Sequence, residues 1–394
     1  MSDRFMFEKP LGMRDTIPVL YEAKQKVRQA VLAEMSGWGY RMIETPALEY
    51  YETIGEASAI EDRQLFKLLD QQGYTLVLRP DMTTPIARVA ASKLLEKTMP
   101  VRLAYDAKVY RAQQREGGKP AEFEQIGVEC IGDPSIGADA ESISLLVSSL
   151  QKIGLVDFKI SIGHIGFVQD FLVDVLGTEA RAEQCRTFLV GKNYVGFRKH
   201  IEELALSTID RERLYKLLAL RGSGDILKEG LTLAEGAGKA VQAIEELSQL
   251  WEQLQVHGVD AYVQFDLALV PAMHYYTGLL YEVYAAGVGM PIGNGGRYDQ
   301  LLSRFGRNAP ATGFALLVDR LLEAQGDLWV EQPSSCVLYS KERLAEAIRR
   351  TEELRGEGMA VVLQDISSVK ELDAFTRTFQ DVEYLVGSRK ESLL

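Results

Sequence analysis

Apolar residues recur at helical spacing from residue 19 to 36. Leu20, Ala23, Val27, Ala30, Val31 and Met35 form one stripe, and Gly37 with Gly39 ends it. The period then changes. Residues 40–45 read as a strand stopped at Pro46, and residues 74–79 as a second strand. Asp81-Met82-Thr83-Thr84-Pro85 follows, where Asp81 or Thr83 can cap a helix running through Ile86, Val89, Ala90 and Leu94. Two long β-rich stretches, 101–111 and 121–131, flank Gln113-Gln114-Arg115-Glu116-Gly117-Gly118-Lys119-Pro120. Glycine, proline and charge in that joint predict an antiparallel hairpin with an exposed loop. A helix over 139–153 and a strand over 157–162 complete this first block.

From about residue 166 to 255 the pattern is mostly helical, rich in Leu, Ala and Glu, which predicts an inserted subdomain. Strands resume at 261–269 and 279–285. A glycine-rich turn region, 287–296, then leads to two short helices around 298–305 and 313–324. A β-rich block, a helical block, then β again predicts an α+β fold, an antiparallel sheet core carrying a helical insertion. A regular βαβ repeat does not fit. Beyond Gln332-Pro333-Ser334-Ser335, strand-like runs at 336–339, 359–363 and 383–386 alternate with helical ones. The expected organisation is a core over 1–325 and a small C-terminal α/β domain over 334–394.

Composition narrows the class. A chain of 394 residues, 46% hydrophobic and 25% charged, fits a soluble globular protein of two or three domains. The net charge of -12 counts against broad capture of phosphate backbones, which needs a basic face. Cys130, Cys185 and Cys336 lack metal-ligand spacing, and only His164, His200, His257 and His274 stand beside them. No metal site is expected, and the three thiols read as reduced. The first residues lack the apolar core of a signal peptide, and no run approaches the roughly 20 apolar residues of a membrane span. The expectation is a cytoplasmic protein without membrane contact.

Several segments carry chemistry. Gly12-Met13-Arg14-Asp15 and Glu44-Thr45-Pro46 come first, then Arg79-Pro80-Asp81-Met82-Thr83. Tyr110-Arg111 and Phe123-Glu124-Gln125-Ile126-Gly127-Val128-Glu129 bracket the predicted hairpin loop. Leu269-Val270-Pro271-Ala272-Met273-His274-Tyr275-Tyr276-Thr277-Gly278, Asn294-Gly295-Gly296-Arg297-Tyr298-Asp299 and Gly313-Phe314-Ala315-Leu316-Leu317-Val318-Asp319-Arg320-Leu321 follow. Taken in this order, these segments resemble the core of class II aminoacyl-tRNA synthetases, and specifically histidyl-tRNA synthetases, over roughly residues 8–325. The resemblance implies that the first pair builds a dimer interface. It implies that Asp81 and Thr83 hold the ammonium group of an amino acid, and that Arg111 and Arg320 stand where the family grips ATP.

The residues themselves make a coherent amino-acid pocket. Asp81 can pair with an ammonium group and Thr83 can accept a further hydrogen bond from it. Gln125, both donor and acceptor, can bridge ammonium and carboxylate. Glu129 and the Tyr276 hydroxyl can serve the two nitrogens of an imidazole, with Tyr275 beside them. The expected histidine-binding set is therefore Asp81, Thr83, Gln125, Glu129, Tyr275 and Tyr276. Plainer readings stand beside it: Asp81 and Thr83 as a helix cap, Glu129 facing solvent, one of the two tyrosines in the core, and Gly293, Gly295 and Gly296 as a hairpin turn.

Three departures from the synthetase pattern fall on the reaction side. The family motif reads L-V-R-G-L-D-Y-Y-T, and its arginine acts on the reacting carboxylate and α-phosphate; here Pro271 stands in that place, with neither charge nor backbone donor. The acid expected two residues after Arg111 is Gln113, and the loop beyond keeps only Arg115 and Lys119 as cations. Arg111, Arg115 and Arg320 are left as candidate anion- or nucleotide-binding residues. The tail is shorter than an anticodon-binding domain and carries Glu352, Glu353, Asp365, Glu371 and Asp373.

A family with this core, this loss and this shortening is that of the ATP phosphoribosyltransferase regulatory subunits, which the chain resembles closely. The resemblance implies a non-catalytic subunit without a cofactor, acting at the first step of histidine biosynthesis. Its partners would be the short-form catalytic subunit in a hetero-octamer, a second copy through the first motif, and histidine as feedback effector, with no role for tRNA. The alternatives are an active histidyl-tRNA synthetase and a synthetase-like module that binds RNA or protein.

Overall fold

Pro18 occupies the first turn of α1 (Pro18–Gly37), where its missing N–H would be unpaired in any case. Ala23, Val27, Val31 and Met35, one turn apart, are the buried stripe of that helix. In the computed structural model, residues 7–55, 57–94, 100–113, 120–271, 275–326 and 335–387 are described. The chain forms two compact units, Met1–Gly326 and Asp327–Leu394.

After α1 the first unit runs through β1 (Arg41–Met42), β2 (Leu48–Tyr50), β3 (Lys67–Leu69), β4 (Thr75–Leu78) and α2 (Thr83–Val89). It continues with β5 (Val101–Tyr110), β6 (Glu122–Ile131), α3 (Ile136–Lys152) and β7 (Phe158–His164). A helical stretch follows: α4 (Ile165–Leu176), α5 (Glu179–Val190), α6 (Tyr194–Glu203) and α7 (Thr208–Ala219). The short β8 (Arg221–Gly222) precedes α8 (Ile226–Leu233) and α9 (Gly238–Val256). The unit closes with β9 (Val263–Asp266), β10 (Leu279–Ala285), β11 (Gly293–Arg297), β12 (Ala311–Leu317) and α10 (Val318–Gln325).

Nine of these strands form one sheet in the order β1-β5-β6-β12-β11-β10-β7-β9-β8. It is antiparallel except where β1 meets β5 and β7 meets β9. The predicted hairpin is present, with β5 and β6 paired from Val101↔Ile131 to Tyr110↔Glu122. Strands β2, β4 and β3 make a separate three-stranded sheet.

The two faces of the large sheet bury different clusters. Ile126, Val128 and Cys130 of β6 join α1, α3 and the helical stretch in the main core. Leu103, Tyr105 and Val109 of β5 pack with Met82 and Ile86 of the α2 region on the other face. Alternation along the strands therefore sorts odd and even positions between a helical core and a smaller layer.

Several expectations are corrected here. Residues 293–297 are a central strand instead of a turn, and residues 313–317 belong to β12 instead of a helix, which starts only at Val318. Of the helix expected around 298–305, only a 3-10 turn at Leu302–Phe305 forms. The reason is space: a Cβ on Gly295 would stand 2.5 Å from the Gly313 carbonyl and from the Tyr281 ring. One on Gly127 would stand 2.1 Å from the Phe314 carbonyl. These glycines let the Tyr281 ring and the hydroxyl end of Tyr105 come against neighbouring backbones, so they mark close approach within a sheet instead of chain reversal. The strands expected over 40–45 and 261–269 also shorten, to β1 and β9.

The second unit holds β13 (Ser335–Tyr339), α11 (Leu344–Gly356), β14 (Val361–Asp365), α12 (Leu372–Thr376) and β15 (Asp381–Leu385). Its sheet, in the order β14-β13-β15, is wholly parallel. Val337, Ala347, Leu354, Val361 and Leu385 make its core.

Candidate functional site

Register and alternation together build the floor of a pocket. Glu129, Gly313 and Gly296 lie in one cross-strand row of β6, β12 and β11; Gly127, Ala315 and Asn294 lie in the next. Side chains in one row share a face, so Gln125, Glu129, Ala315 and Asn294 point the same way. Over this floor stand Asp81 and Thr83 at the start of α2, Tyr105 and Arg111 from β5 and its end, and Tyr275, Tyr276 and Tyr298. They enclose about 350 Å³, counting the space at the mouth.

All six residues of the expected histidine-binding set line this one cleft, with Arg111. The alternatives resolve residue by residue. Asp81 does serve the helix start, accepting from the Thr84 N–H at 2.7 Å, and also takes the Ser58 hydroxyl at 3.0 Å. It lines the cleft as well, so cap and pocket are one residue. Glu129 is only 2% exposed and does not face solvent. Tyr275 and Tyr276 lie outside any strand, so their rings need not diverge; their centroids are 4.9 Å apart and both border the cleft. Gln125 is buried, and among the described residues its amide has no partner, leaving donor and acceptor free for a ligand.

Glu129 is the electrostatic centre. The Thr83 hydroxyl donates to one of its oxygens at 2.7 Å, and the Tyr298 hydroxyl to the other. Burial nevertheless dominates and pushes its pKa up to about 8, with Asp81 adding repulsion. The carboxyl is therefore largely neutral at pH 7, a group that can donate to a ring nitrogen or give up its proton to one. The Tyr276 hydroxyl, which accepts from the Asn294 amide at 3.2 Å, is the second polar group at the same site.

The cations expected to take nucleotide are arranged differently. Arg111 spends its Nε on the Pro80 carbonyl at 2.9 Å and stacks on Phe123, its guanidinium carbon 5.3 Å from the ring centre. Burial lowers its pKa, and nearby Arg320 lowers it further. Arg320 donates to the Pro291 carbonyl and is not among the residues lining the cleft. Both arginines are anchored by prolyl carbonyls, with Asp81 acting on Arg111 and Glu323 on Arg320 as the nearby negative charges. Arg115, Lys119 and His274 lie outside the described residues. Pro271, partly exposed, is also absent from the cleft lining.

Sequence reasoning missed Tyr105, Asn294 and Tyr298 as pocket residues. Tyr105 lay unremarked inside the β-rich stretch 101–111, yet it pairs with Gly127 across β5 and β6, and an aromatic facing a glycine was the available signal. Tyr298 followed a segment read as a turn, which hid its reach to Glu129. Arg79, in contrast, belongs to the scaffold: it donates to the Lys108 and Thr45 carbonyls at 2.9 and 2.6 Å.

Comparison with known proteins places this geometry. The family model described as histidyl-tRNA synthetase matches residues 12–321, and that described as histidyl-tRNA synthetase HisZ, C-terminal domain, matches residues 336–387. A curated relative from Geobacillus kaustophilus is 56% identical over 383 residues, 97% of each chain. One from Bacillus subtilis is 53% identical over 388 residues, 98% of this chain and 99% of its own. Both are named ATP phosphoribosyltransferase regulatory subunit. A crystal structure from Bacillus halodurans, titled as an ATP phosphoribosyltransferase regulatory subunit/histidyl-tRNA synthetase, superposes with a TM-score of 0.90 at 51% identity. It covers 98% of this chain and 100% of its own. A histidyl-tRNA synthetase from a Nostoc species shares the fold alone, with a TM-score of 0.79 at 20% identity over 94% of this chain and 88% of its own. The chain thus belongs to the family of ATP phosphoribosyltransferase regulatory subunits, built on the class II fold of histidyl-tRNA synthetases.

Proposed function

We propose that this chain is a non-catalytic subunit that pairs with the catalytic subunit of ATP phosphoribosyltransferase in histidine biosynthesis and uses its cleft to sense free histidine. The observation that carries the reading is an asymmetry. Six residues suited to an amino acid line one cleft, whereas the position of the synthetase arginine holds Pro271. Loss of one donor aimed at developing charge costs about 10²–10³ in rate, which leaves a poor adenylating enzyme. Gln113 near Arg111, donating to the Arg111 and Pro120 carbonyls, adds a second departure from the synthetase pattern.

In this reading Asp81 and Gln125 hold the ammonium and carboxylate groups, and Glu129 with Tyr276 holds the imidazole. Thr83 and Tyr275 complete the pocket, and Arg111 and Arg320 supply positive charge towards an anion. Feedback then requires that histidine bind one state of the assembly better than another, a coupling of about 1–3 kcal/mol.

Self-association belongs to the same proposal. Leu48, Tyr50 and Leu68 share one face of the small sheet and are 44%, 52% and 44% exposed, with Met42 on the edge strand 56% exposed. An apolar face of that kind on the first-motif side fits a second copy, and a hetero-octamer with the short-form catalytic subunit follows from such dimers.

Mixing the purified chain with a short-form transferase tests the reading. Transferase activity that requires this chain and falls with added histidine is expected. Gln125→Ala should keep the activation and lose histidine inhibition. Unchanged inhibition would move the effector site to the catalytic subunit, and histidine-dependent pyrophosphate exchange with ATP by this chain alone would restore the synthetase reading.

A further inference from the structure

The two faces of the large sheet differ in how their polar groups are arranged. Behind β11, Arg297 donates to Asp139 at 2.7 Å beside a second cavity between α3 and α9, and that pair is self-contained. On the cleft face the floor runs on past the pocket. Glu282 of β10 stands directly across from Asn294 of β11, and Tyr284 lies two positions further along the same face. Asn294 is the residue whose amide donates to the Tyr276 hydroxyl at 3.2 Å.

Glu282 competes for that amide. A carboxylate is a stronger acceptor than a phenol oxygen, and cross-strand neighbours have Cβ atoms about 5 Å apart, within reach of each other's polar ends. What holds Glu282 away comes from outside the sheet. Lys192, between α5 and α6 of the helical insertion, donates to its Oε2 at 2.7 Å and to the Tyr284 hydroxyl at 2.6 Å. The Tyr284 hydroxyl in turn donates to the same Oε2. Two donors therefore draw the carboxylate towards Tyr284, on the side away from the cleft.

The backbone sets Lys192 apart from an ordinary surface lysine. Its φ of 51° makes it the one residue other than glycine in the left-handed region among the described residues. The position closes α5, with its N–H donating to the Leu189 carbonyl at 2.9 Å, and glycine would hold it with less strain. A lysine here gains its reach to Glu282 in exchange.

We propose that Lys192 is a positioning residue for the histidine cleft: by holding the Glu282 carboxylate towards Tyr284, it leaves the Asn294 amide to Tyr276. A hydroxyl that accepts a hydrogen bond keeps its own proton to give. Asn294 thus fixes Tyr276 as a donor to an imidazole nitrogen, and the helical insertion sets that choice from outside the pocket. Lys192 does not itself line the cleft. The inference rests on the reading of the cleft as a histidine site.

Titration calorimetry of the full chain with histidine tests the two separately. Lys192→Met should weaken histidine roughly fivefold to tenfold, the range for one hydrogen bond, and Lys192→Arg should recover most of it. Glu282→Ala removes the competitor, so it should bind within about twofold of the parent, and adding Lys192→Met to it should change nothing further. A simple tether between the insertion and β10 would instead make Glu282→Ala as weak as Lys192→Met, which would overturn the proposal. Equal affinity of the parent and Lys192→Met would also overturn it, while leaving the cleft assignment intact. A parent chain that binds no histidine would take both down.

Discussion

The Thr83 hydroxyl donates to Glu129 at 2.7 Å, joining the first turn of α2 to a central strand 46 positions away in sequence. Thr83→Val keeps the shape and deletes the donor, leaving a fully buried carboxyl oxygen short of a partner. A loss of about 1–3 kcal/mol is expected in urea unfolding, and Thr83→Ser should recover most of it. Equal stability of the valine and serine variants would mean that the bond contributes nothing.

The raised pKa of Glu129 makes a signed prediction about pH. In the unfolded chain the group ionises near its ordinary value of 4.5, and in the fold only near 8. The folded state therefore holds the extra proton between these values, and stability falls as pH rises through that window. Glu129→Gln, permanently neutral, should flatten the decline by a few kcal/mol between pH 5 and 8. Parallel stability–pH curves for the two proteins would place the proton elsewhere.

Histidine affinity should show its own optimum. If one proton is shared between Glu129 and the bound imidazole, binding between about pH 6.5 and 8 neither takes up nor releases a proton. Below that range the free imidazolium must lose one, and above it the site must gain one. Affinity then declines on both sides, approaching about tenfold per pH unit. Calorimetry in buffers of different ionisation enthalpy reads the proton count directly, and a flat profile would contradict shared protonation.

The strand glycines should be intolerant for steric reasons alone. Gly127→Ala places a methyl 2.1 Å from the Phe314 carbonyl and 2.4 Å from the Tyr105 hydroxyl, both fixed. A cost of about 3 kcal/mol or more is expected. Gly238→Ala, with nothing within 4 Å of the new methyl, is the control and should be neutral or slightly stabilising. Comparable denaturation midpoints for both would show that the sheet yields.

Charge on the small sheet should disrupt self-association. Leu48→Glu with Tyr50→Asp is expected to reduce the mass measured by light scattering to that of one chain, with far-ultraviolet dichroism unchanged. A dimer that survives the pair would move the interface off this face.

Much of the sheet was legible because β5, β6, β7 and β10 are long and strongly apolar, and α1 has an uninterrupted stripe. The pocket residues were legible by type and order: Asp81, Gln125, Glu129 and Tyr276 each carry chemistry that an amino acid needs. What misled was glycine. At Gly295 and Gly296 a residue usually read as a turn serves a sheet whose backbone carries the rings of Tyr281 and Tyr276. That information sits in Tyr276 and Tyr281, remote in sequence, so no local pattern could supply it. The role of Arg297 was hidden likewise, since its partner Asp139 lies on a different element.

Because Gly295 and Gly296 bear no side chains, β11 is a membrane-thin diaphragm between two chambers. Side chains at those two positions would hold the rings of Tyr281 and Tyr276 away; here both rings rest on its peptide groups. Whatever fills either chamber presses on the same few peptide groups.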